Sequence, residues 1–231
     1  QGDRKQFKYE DKFTPARMFF ERSFKTYFLK YDNFDELDAY EIVHYPLHYE
    51  PEASLSYLSE FFSNQAALIE NISKCLNQNQ VLVVKEHPAQ PGMLLTKKYQ
   101  NLLKNVSNLY YLPNTVLSFD IIKKSEVIIT LTSHLGWESL ILGKPVFLLG
   151  KMFYDKHPQV NDFSSWGKLR TSIRNKDYTF PNIDSTVKYI AQLIEISYEG
   201  YPFPGQDLYG EDNIKKIIYA IESELKLGLK R

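Results

Sequence analysis

Two groups of polar side chains each follow directly on an apolar, β-branched run of strand length. Lys85 and His87 come after the run 81–84, and a second group begins at Thr132, after the run 127–130. Such runs are typical of buried parallel strands, and ligands of open α/β sheets bind at the carboxyl ends of the strands. Cationic, hydroxyl and carboxylate groups at two such ends predict a site for a phosphorylated, hydroxyl-rich molecule, for which a nucleotide-sugar is the obvious candidate.

The first group contains the dipeptide His87-Pro88. Proline disfavours the α conformation of the residue before it, so we expect an extended His87 whose imidazole can donate a hydrogen bond to a phosphate oxygen. Lys85 would add a positive charge nearby. In the alternative interpretation the dipeptide merely ends the strand and Lys85 is solvated. The dipeptide alone favours this alternative, because His-Pro is common by chance.

The second group has the features of a helix start that could bind phosphate. Thr132 and Ser133 are good N-cap residues for a helix that begins near His134. Gly136 would leave the first turn unobstructed, so unpaired amides and the positive helix end could receive a phosphate. Glu138 could accept hydrogen bonds from two ribose hydroxyls. Alternatively, Ser133 is an ordinary cap and Glu138 only offsets the helix dipole, and this segment alone favours neither interpretation.

A third candidate is the proline-bounded turn 46–52, which contains one histidine and two glutamates. Such groups in one turn could supply a general base that removes a proton from an acceptor hydroxyl. Glu52 or His48 is our choice for this proton transfer. The turn could also be a solvated loop, and the residue types alone favour the loop.

Several classes of site are weakened by missing motifs. The sequence contains no G-x-G-x-x-G after a strand, no P-loop, no G-x-S-x-G and no H-E-x-x-H. No D-x-D triplet occurs, so the usual carboxylate clamp for a metal on a sugar-nucleotide diphosphate is missing. We therefore expect no metal cofactor, with the nucleotide-sugar as a substrate. Its phosphate would be stabilised by the helix dipole, backbone amides, His87 and Lys85.

Composition limits the partners. The chain has 231 residues, with 28 basic and 28 acidic side chains and a net charge of zero, so it has no global basic field that would recruit nucleic acid. The single cysteine, Cys75, cannot form an internal disulfide and is expected to be a small core residue in a reducing compartment. No stretch has the length and hydropathy of a membrane span. We expect a cytoplasmic protein, with the inner membrane face as a peripheral location.

The apolar periodicity predicts strands that alternate with helices, which is typical of a parallel sheet with helices on both faces. We therefore predict a Rossmann-like domain over residues 39–231. An amphipathic helix near Thr14–Leu29 would form an N-terminal extension or connector over residues 1–38. Two C-terminal helices carry apolar stripes, over 187–198 and 214–225, that predict buried faces. Strands are predicted at 40–45, 81–84, 109–112, 127–130 and 145–149, and helices at 58–72, 94–103, 116–124 and 134–142.

Taken together, three motifs resemble those of the bacterial capsule and surface polysaccharide biosynthesis proteins. They are Pro-Leu-His-x-x-Pro-Glu at 46–52, Lys-Glu-His-Pro at 85–88, and Ser-x-x-Gly-x-Glu followed by Gly-Lys-Pro-Val at 133–146. Gly150, Phe153 and Tyr154 are also similar to that family's pattern. The resemblance covers residues 40–155, or half of the chain. The Thr-Ser-His sequence at 132–134 departs from the Gly-Thr or Ser-Ser of many relatives.

This resemblance implies the carboxyl-terminal, donor-binding half of a GT-B type glycosyltransferase. His87 and Pro88 would contact the nucleotide phosphate, and Glu138 would bind the ribose. Ser133 and Gly136 would hold the phosphate through helix amides. Relatives with a His-Pro motif include transferases that use CMP-activated sugars such as Kdo or sialic acid, and CDP-alcohol phosphotransferases share a comparable element.

The predicted function is that of a donor-binding domain of a glycosyltransferase in capsule or surface polysaccharide synthesis. Its partners would be a nucleotide-sugar, a glycan or glycolipid acceptor, and an N-terminal domain, because the chain opens without methionine and is too short for two GT-B domains. Two alternatives remain. One is a non-catalytic Rossmann-like module that binds a glycan or a partner enzyme. The other is a non-hydrolysing sugar-nucleotide epimerase or a relative of the CDP-alcohol phosphotransferases.

Overall fold

The computed structural model describes residues 31–49, 62, 64–90, 92, 105–201 and 209–228. Its centre is a six-stranded sheet in which every adjacent pair of strands is parallel, in the order β3-β2-β1-β4-β5-β6. This order is that of a Rossmann-like fold, so the predicted fold class is confirmed. The strands are β1 (Glu41–Pro46), β2 (Gln80–Lys85), β3 (Leu109–Leu112), β4 (Ser125–Thr130), β5 (Val146–Leu148) and β6 (Val160–Asp162).

Helices cover both faces of the sheet, and a short 3-10 helix, Phe34–Ala39, precedes β1. The helices of this unit are α1 (Gln65–Ser73), α2 (Ser118–Lys124), α3 (His134–Ile141) and α4 (Trp166–Asn175). One face of the sheet packs against α1 and α4 and forms the larger core cluster. The other face forms a smaller cluster with α2. β2 is buried at every position, as expected for a parallel strand between two helical layers.

The order of the strands determines where polar side chains meet. Both neighbours of β1, β2 and β4, run parallel to it, and the sheet order reverses at this point, so the carboxyl ends of these three strands border one crevice. The pairing of Pro46 with Lys85 puts the ends of β1 and β2 side by side. The segments predicted to carry chemistry therefore lie at the same edge of the sheet.

Two helices, α5 (Ile183–Glu195) and α6 (Glu211–Gly228), belong, apart from Ile183, to the second of two compact units, which spans residues 184–231. Their helical structure agrees with the prediction, but the predicted burial of their apolar stripes was wrong for several side chains. Ile194 is 69% exposed and Leu225 is 62% exposed. An apolar stripe indicates that burial of one helix face would be favourable, but these side chains are exposed to solvent.

Three predictions concern residues that the structure does not describe: the helix at 14–29, the helix at 94–103 and most of the first half of the helix at 58–72. The boundary at residue 38 stays a prediction. Cys75 is fully buried, and its thiol donates to the Asn71 carbonyl at 3.3 Å. The expectation of a small core residue is confirmed.

His44 in the middle of β1 predicts how stability depends on pH. It is fully buried, with Nδ1 2.9 Å from the Val83 carbonyl oxygen. Burial lowers its pKa from 6.5 to about 4. The unfolded chain therefore takes up this proton first as the pH falls, so this contribution to stability is complete above pH 6.5 and is lost as the pH falls to about 4. The loss is expected to reach about 3 kcal/mol.

The check is urea unfolding of the wild type and of His44→Asn between neutral pH and the lowest pH at which both still fold. Asparagine can keep a donor for the Val83 carbonyl but has no group that titrates in this range. We expect the variant to lose stability less steeply than the wild type as the pH falls. Equal slopes would show that His44 does not cause the acid sensitivity.

Candidate functional site

A cleft of about 320 Å³ lies at the carboxyl ends of β1, β2 and β4. Of the predicted site residues, Gly136 does not line it, and Glu52 lies outside the described residues. Seven residues that were not among the predicted site residues also line the cleft, and four of them are polar or aromatic: Tyr49, Glu86, Ser118 and His134. The predicted residues that the cleft brings together are His48, Lys85, His87, Pro88, Thr132, Ser133 and Glu138.

Lys85 places a positive charge at the cleft, and its side chain is largely shielded from solvent. It is 8% exposed, and its Nζ donates to the Ser118 hydroxyl at 2.8 Å. Among the residues that the structure describes, no carboxylate forms an ion pair with it. Burial lowers the pKa of Lys85, because a charged group loses hydration in the interior. An anion in the cleft would compensate this ammonium group.

His87 is held by a turn that determines which of its ring nitrogens can act as a donor. The Ala89 amide donates to Nδ1 at 3.2 Å, and the Gln90 amide donates to the His87 carbonyl at 2.9 Å. With Nδ1 accepting, the ring proton lies on Nε2. The imidazole can therefore offer an Nε2–H donor to a ligand. Its ring also makes an edge contact with Tyr49, at 5.8 Å between centroids.

The loop that carries His87 is anchored by the buried carboxylate of Glu86. Its Oε1 accepts from the Gly92 amide at 2.7 Å, and its Oε2 accepts from the Tyr31 hydroxyl at 2.8 Å. Burial raises the pKa of Glu86, whereas the two hydrogen bonds act in the opposite direction. Glu86 is 1% exposed, so its oxygens accept hydrogen bonds from the protein rather than from solvent.

The start of α3 forms the opposite wall of the cleft. The Ser133 hydroxyl caps the helix by accepting from the Leu135 amide at 3.1 Å, as predicted from its residue type. The amides of Ser133 and His134 have no hydrogen-bond partner among the described residues. Free amides at a helix start, with the positive end of the dipole, attract anions. Glu138 and His134 are both exposed at this wall.

Gly136 serves packing at this site. A Cβ there would lie 2.3 Å from the Tyr154 hydroxyl and 2.9 Å from the Thr130 Cγ2. Tyr154 is fully buried, and its hydroxyl donates to the Ser133 carbonyl at 2.6 Å. The Gly136 amide donates to the same carbonyl at 3.2 Å. Gly136 therefore lets α3 approach Tyr154 closely, and this close approach determines the position of the first turn of α3.

His48 is buried behind the cleft, at 5% exposed. Its Nε2 accepts from the Thr132 amide at 3.1 Å. Burial lowers its pKa to about 4, a positive charge on His87 would act in the same direction, and the nearby acceptor oxygens of the Gln65 side chain and the Pro46 carbonyl act in the opposite direction. The ring is therefore neutral near neutral pH.

The described residues contain neither a cluster of metal ligands nor a membrane-spanning helix. Within the described ranges, no group of three or more His, Cys, Asp or Glu side chains could hold a metal ion. Over the same residues, no helix combines the length and hydropathy that crossing a membrane requires.

Solved structures include three to which this chain is similar. One is Thermosulfurimonas dismutans KpsC, beta Kdo 2,7 transferase, with 25% identity over 71% of this chain and 53% of that chain, at a TM-score of 0.41. KpsC beta Kdo 2,4 transferase of the same organism has 19% identity over 66% and 44%, at 0.44. The UDP-GlcNAc 2-epimerase of Methanocaldococcus jannaschii has 18% identity over 75% and 49%, at 0.44. The chain spans about half the length of these solved chains.

No match was found among curated proteins. Residues 26–201 match the sequence profile of a family described as capsule polysaccharide biosynthesis protein. The match covers the strands, α1 to α4 and the whole cleft, and it confirms the resemblance drawn from the motifs at 46–52, 85–88 and 133–146. The chain belongs to the capsule polysaccharide biosynthesis protein family.

Proposed function

We propose that this chain is the donor-binding domain of a glycosyltransferase that acts in capsule or surface polysaccharide synthesis. The observation that carries the proposal is the buried ammonium group of Lys85, whose partner is the Ser118 hydroxyl. Among the described residues Lys85 has no carboxylate counterion. A buried charge without a counterion is costly, and a phosphate in the cleft would supply it. The free amides of Ser133 and His134 would bind the same anion from the other wall.

The donor would be a nucleotide-activated sugar, with CMP-linked sugars among the candidates. Lys85 and the Nε2–H group of His87 would hold its phosphate, and Pro88 would keep His87 extended. Thr132, Ser133 and Gly136 would form the helix start that faces this phosphate. Glu138, which is exposed at the cleft, would accept hydrogen bonds from the ribose hydroxyls.

In the reaction, an acceptor hydroxyl of a glycan or glycolipid would attack the anomeric carbon. The bond from the sugar to the phosphate oxygen would break, and the nucleotide would leave with the electron pair. Lys85, His87 and the helix amides would stabilise the charge that develops on the departing phosphate. Of the two candidates for the base, Glu52 would take the acceptor proton, because Nε2 of His48 already accepts from the Thr132 amide. A second domain would hold the acceptor, and the protein would act in the cytoplasm or at the inner face of the membrane.

The test is isothermal titration of CMP, CDP and UDP into the intact protein and into two variants of His87. We expect at least one nucleotide to bind the wild type. His87→Ala should weaken that binding by about tenfold or more, because a hydrogen bond to a charged group contributes about 1.5–3 kcal/mol. His87→Asn should weaken it similarly, since asparagine can still accept from the Ala89 amide but cannot reach as far as Nε2. No binding of any of the three by the wild type, with His87→Ala indistinguishable from it, would refute the proposal.

A further inference from the structure

We infer that His48 is a positioning residue: its Nε2 fixes the Thr132 amide and thereby sets the start of α3, where the donor phosphate would bind. The predicted consequence, a change in nucleotide affinity, rests on the proposed function. The contact itself is independent of that function. It joins residues 84 positions apart in the sequence, across the strand order reversal between β1 and β4.

The backbone of His48 is held on both sides by one buried side chain. Gln65, which is fully buried at the start of α1, accepts from the His48 amide through Oε1 at 2.8 Å and donates to the His48 carbonyl through Nε2 at 3.0 Å. The same Oε1 accepts from the Tyr45 hydroxyl at 3.1 Å. A residue held in this way presents its ring in one place, which a positioning role requires.

The His48 ring connects the segments that follow β1 and β4, beyond the last backbone pair of these two strands. β1 ends at Pro46, and its register with β4 runs from Ile42 to His44. The 3.1 Å contact of Nε2 with the Thr132 amide therefore ties together two segments that no backbone ladder joins at this level. Because Thr132 directly precedes the helix cap Ser133, this contact restrains the direction of the two free amides that follow.

The contact requires a lone pair on Nε2, and hence a neutral ring with its proton on Nδ1. Burial of His48 favours the neutral ring. In this tautomer Nε2 is already occupied by the Thr132 amide and is not free to take a substrate proton. The positioning role thus makes a different prediction from proton transfer, and two variants separate them.

Glutamine at position 48 can place its amide oxygen near the position of Nε2, whereas asparagine reaches only to the position of Nδ1. We expect His48→Gln to bind CMP within about threefold of the wild type, and His48→Asn to bind about tenfold more weakly or worse, a difference of about 1.4 kcal/mol. Hydrogen exchange of the Thr132 amide should be slow in the wild type and in His48→Gln, and faster in His48→Asn.

Equal CMP affinities in both variants, as expected of a general base, would overturn the inference. So would equal loss of Thr132 protection in the two. Nitrogen NMR of histidine-labelled wild type gives a check that needs no variant, because a proton found on Nε2 of His48 would contradict the assigned tautomer. If the wild type binds none of CMP, CDP and UDP, the proposed function fails, while the exchange and tautomer measurements still decide the role of His48.

Discussion

Replacing Gly136 with alanine is expected to destabilise the fold by about 1–3 kcal/mol, the usual cost of overpacking a filled interior, and to weaken nucleotide binding. The added Cβ would lie 2.3 Å from the Tyr154 hydroxyl. That hydroxyl cannot move aside freely, because Tyr154 is fully buried and donates to the Ser133 carbonyl at 2.6 Å. Either Tyr154 or the start of α3 must shift, and the shift displaces the free amides of the cleft.

Chemical denaturation of Gly136→Ala and Gly167→Ala measures the first effect. Gly167 also lies in the first turn of a helix, but a Cβ there would meet only the Ser165 Oγ, at 3.9 Å. The control should therefore be neutral or gain up to about 1 kcal/mol from the higher helix propensity of alanine. If Gly136→Ala unfolds at the same denaturant concentration as the wild type, the close approach of α3 to Tyr154 is not important for stability.

Replacing Lys85 with methionine is expected to remove most of the nucleotide affinity while leaving the fold as stable as before or stabilising it. Removing a charged partner from a buried contact weakens binding by about 2–5 kcal/mol. The free protein, in contrast, would lose a buried charge whose pKa is lowered by desolvation. The half-exposed Ser118 hydroxyl can replace its lost partner with water. Stability should stay equal or rise by about 1 kcal/mol.

Titration of CMP, CDP and UDP together with thermal unfolding measures both effects on the same sample. Lys168→Met is the matched control, because Lys168 is exposed on α4 and away from the cleft. It should bind nucleotide like the wild type. A Lys85→Met protein that keeps wild-type affinity would contradict the role of Lys85, and one that loses several kcal/mol of stability would show that the ammonium group serves the fold instead.

The central strands could be predicted because strands that are buried on both faces have a characteristic apolar composition. β2 and β4 are apolar runs that end in polar residues, a pattern typical of buried parallel strands. The edge strand β6 was missed, since it has only three residues, Val160–Asp162, of which two are half-buried, one is exposed and two are polar. The exposed stripes of α5 and α6 were misjudged because periodicity reports that a face is apolar but not what covers it.

The cleft residues could be located because each follows a predicted strand, and parallel strands end at one edge. Their partners could not be predicted. The contact of Lys85 with Ser118 and that of His48 with Thr132 join residues 33 and 84 positions apart, and both depend on strand order. The packing role of Gly136 depends on Tyr154, which comes from beyond β5. Long-range geometry of this kind leaves no local pattern in a single sequence.

The central claim is that the cleft at the ends of β1, β2 and β4 binds the phosphate of a nucleotide. Its most direct test is a CMP titration of ¹⁵N-labelled protein followed by amide chemical shifts. We predict that the amides of Ser133 and His134 are among those that shift most, and that Lys85→Met abolishes these shifts. Saturating CMP that leaves both amides unchanged, or that instead perturbs the opposite edge of the sheet around Asn108 and Arg174, would contradict the claim.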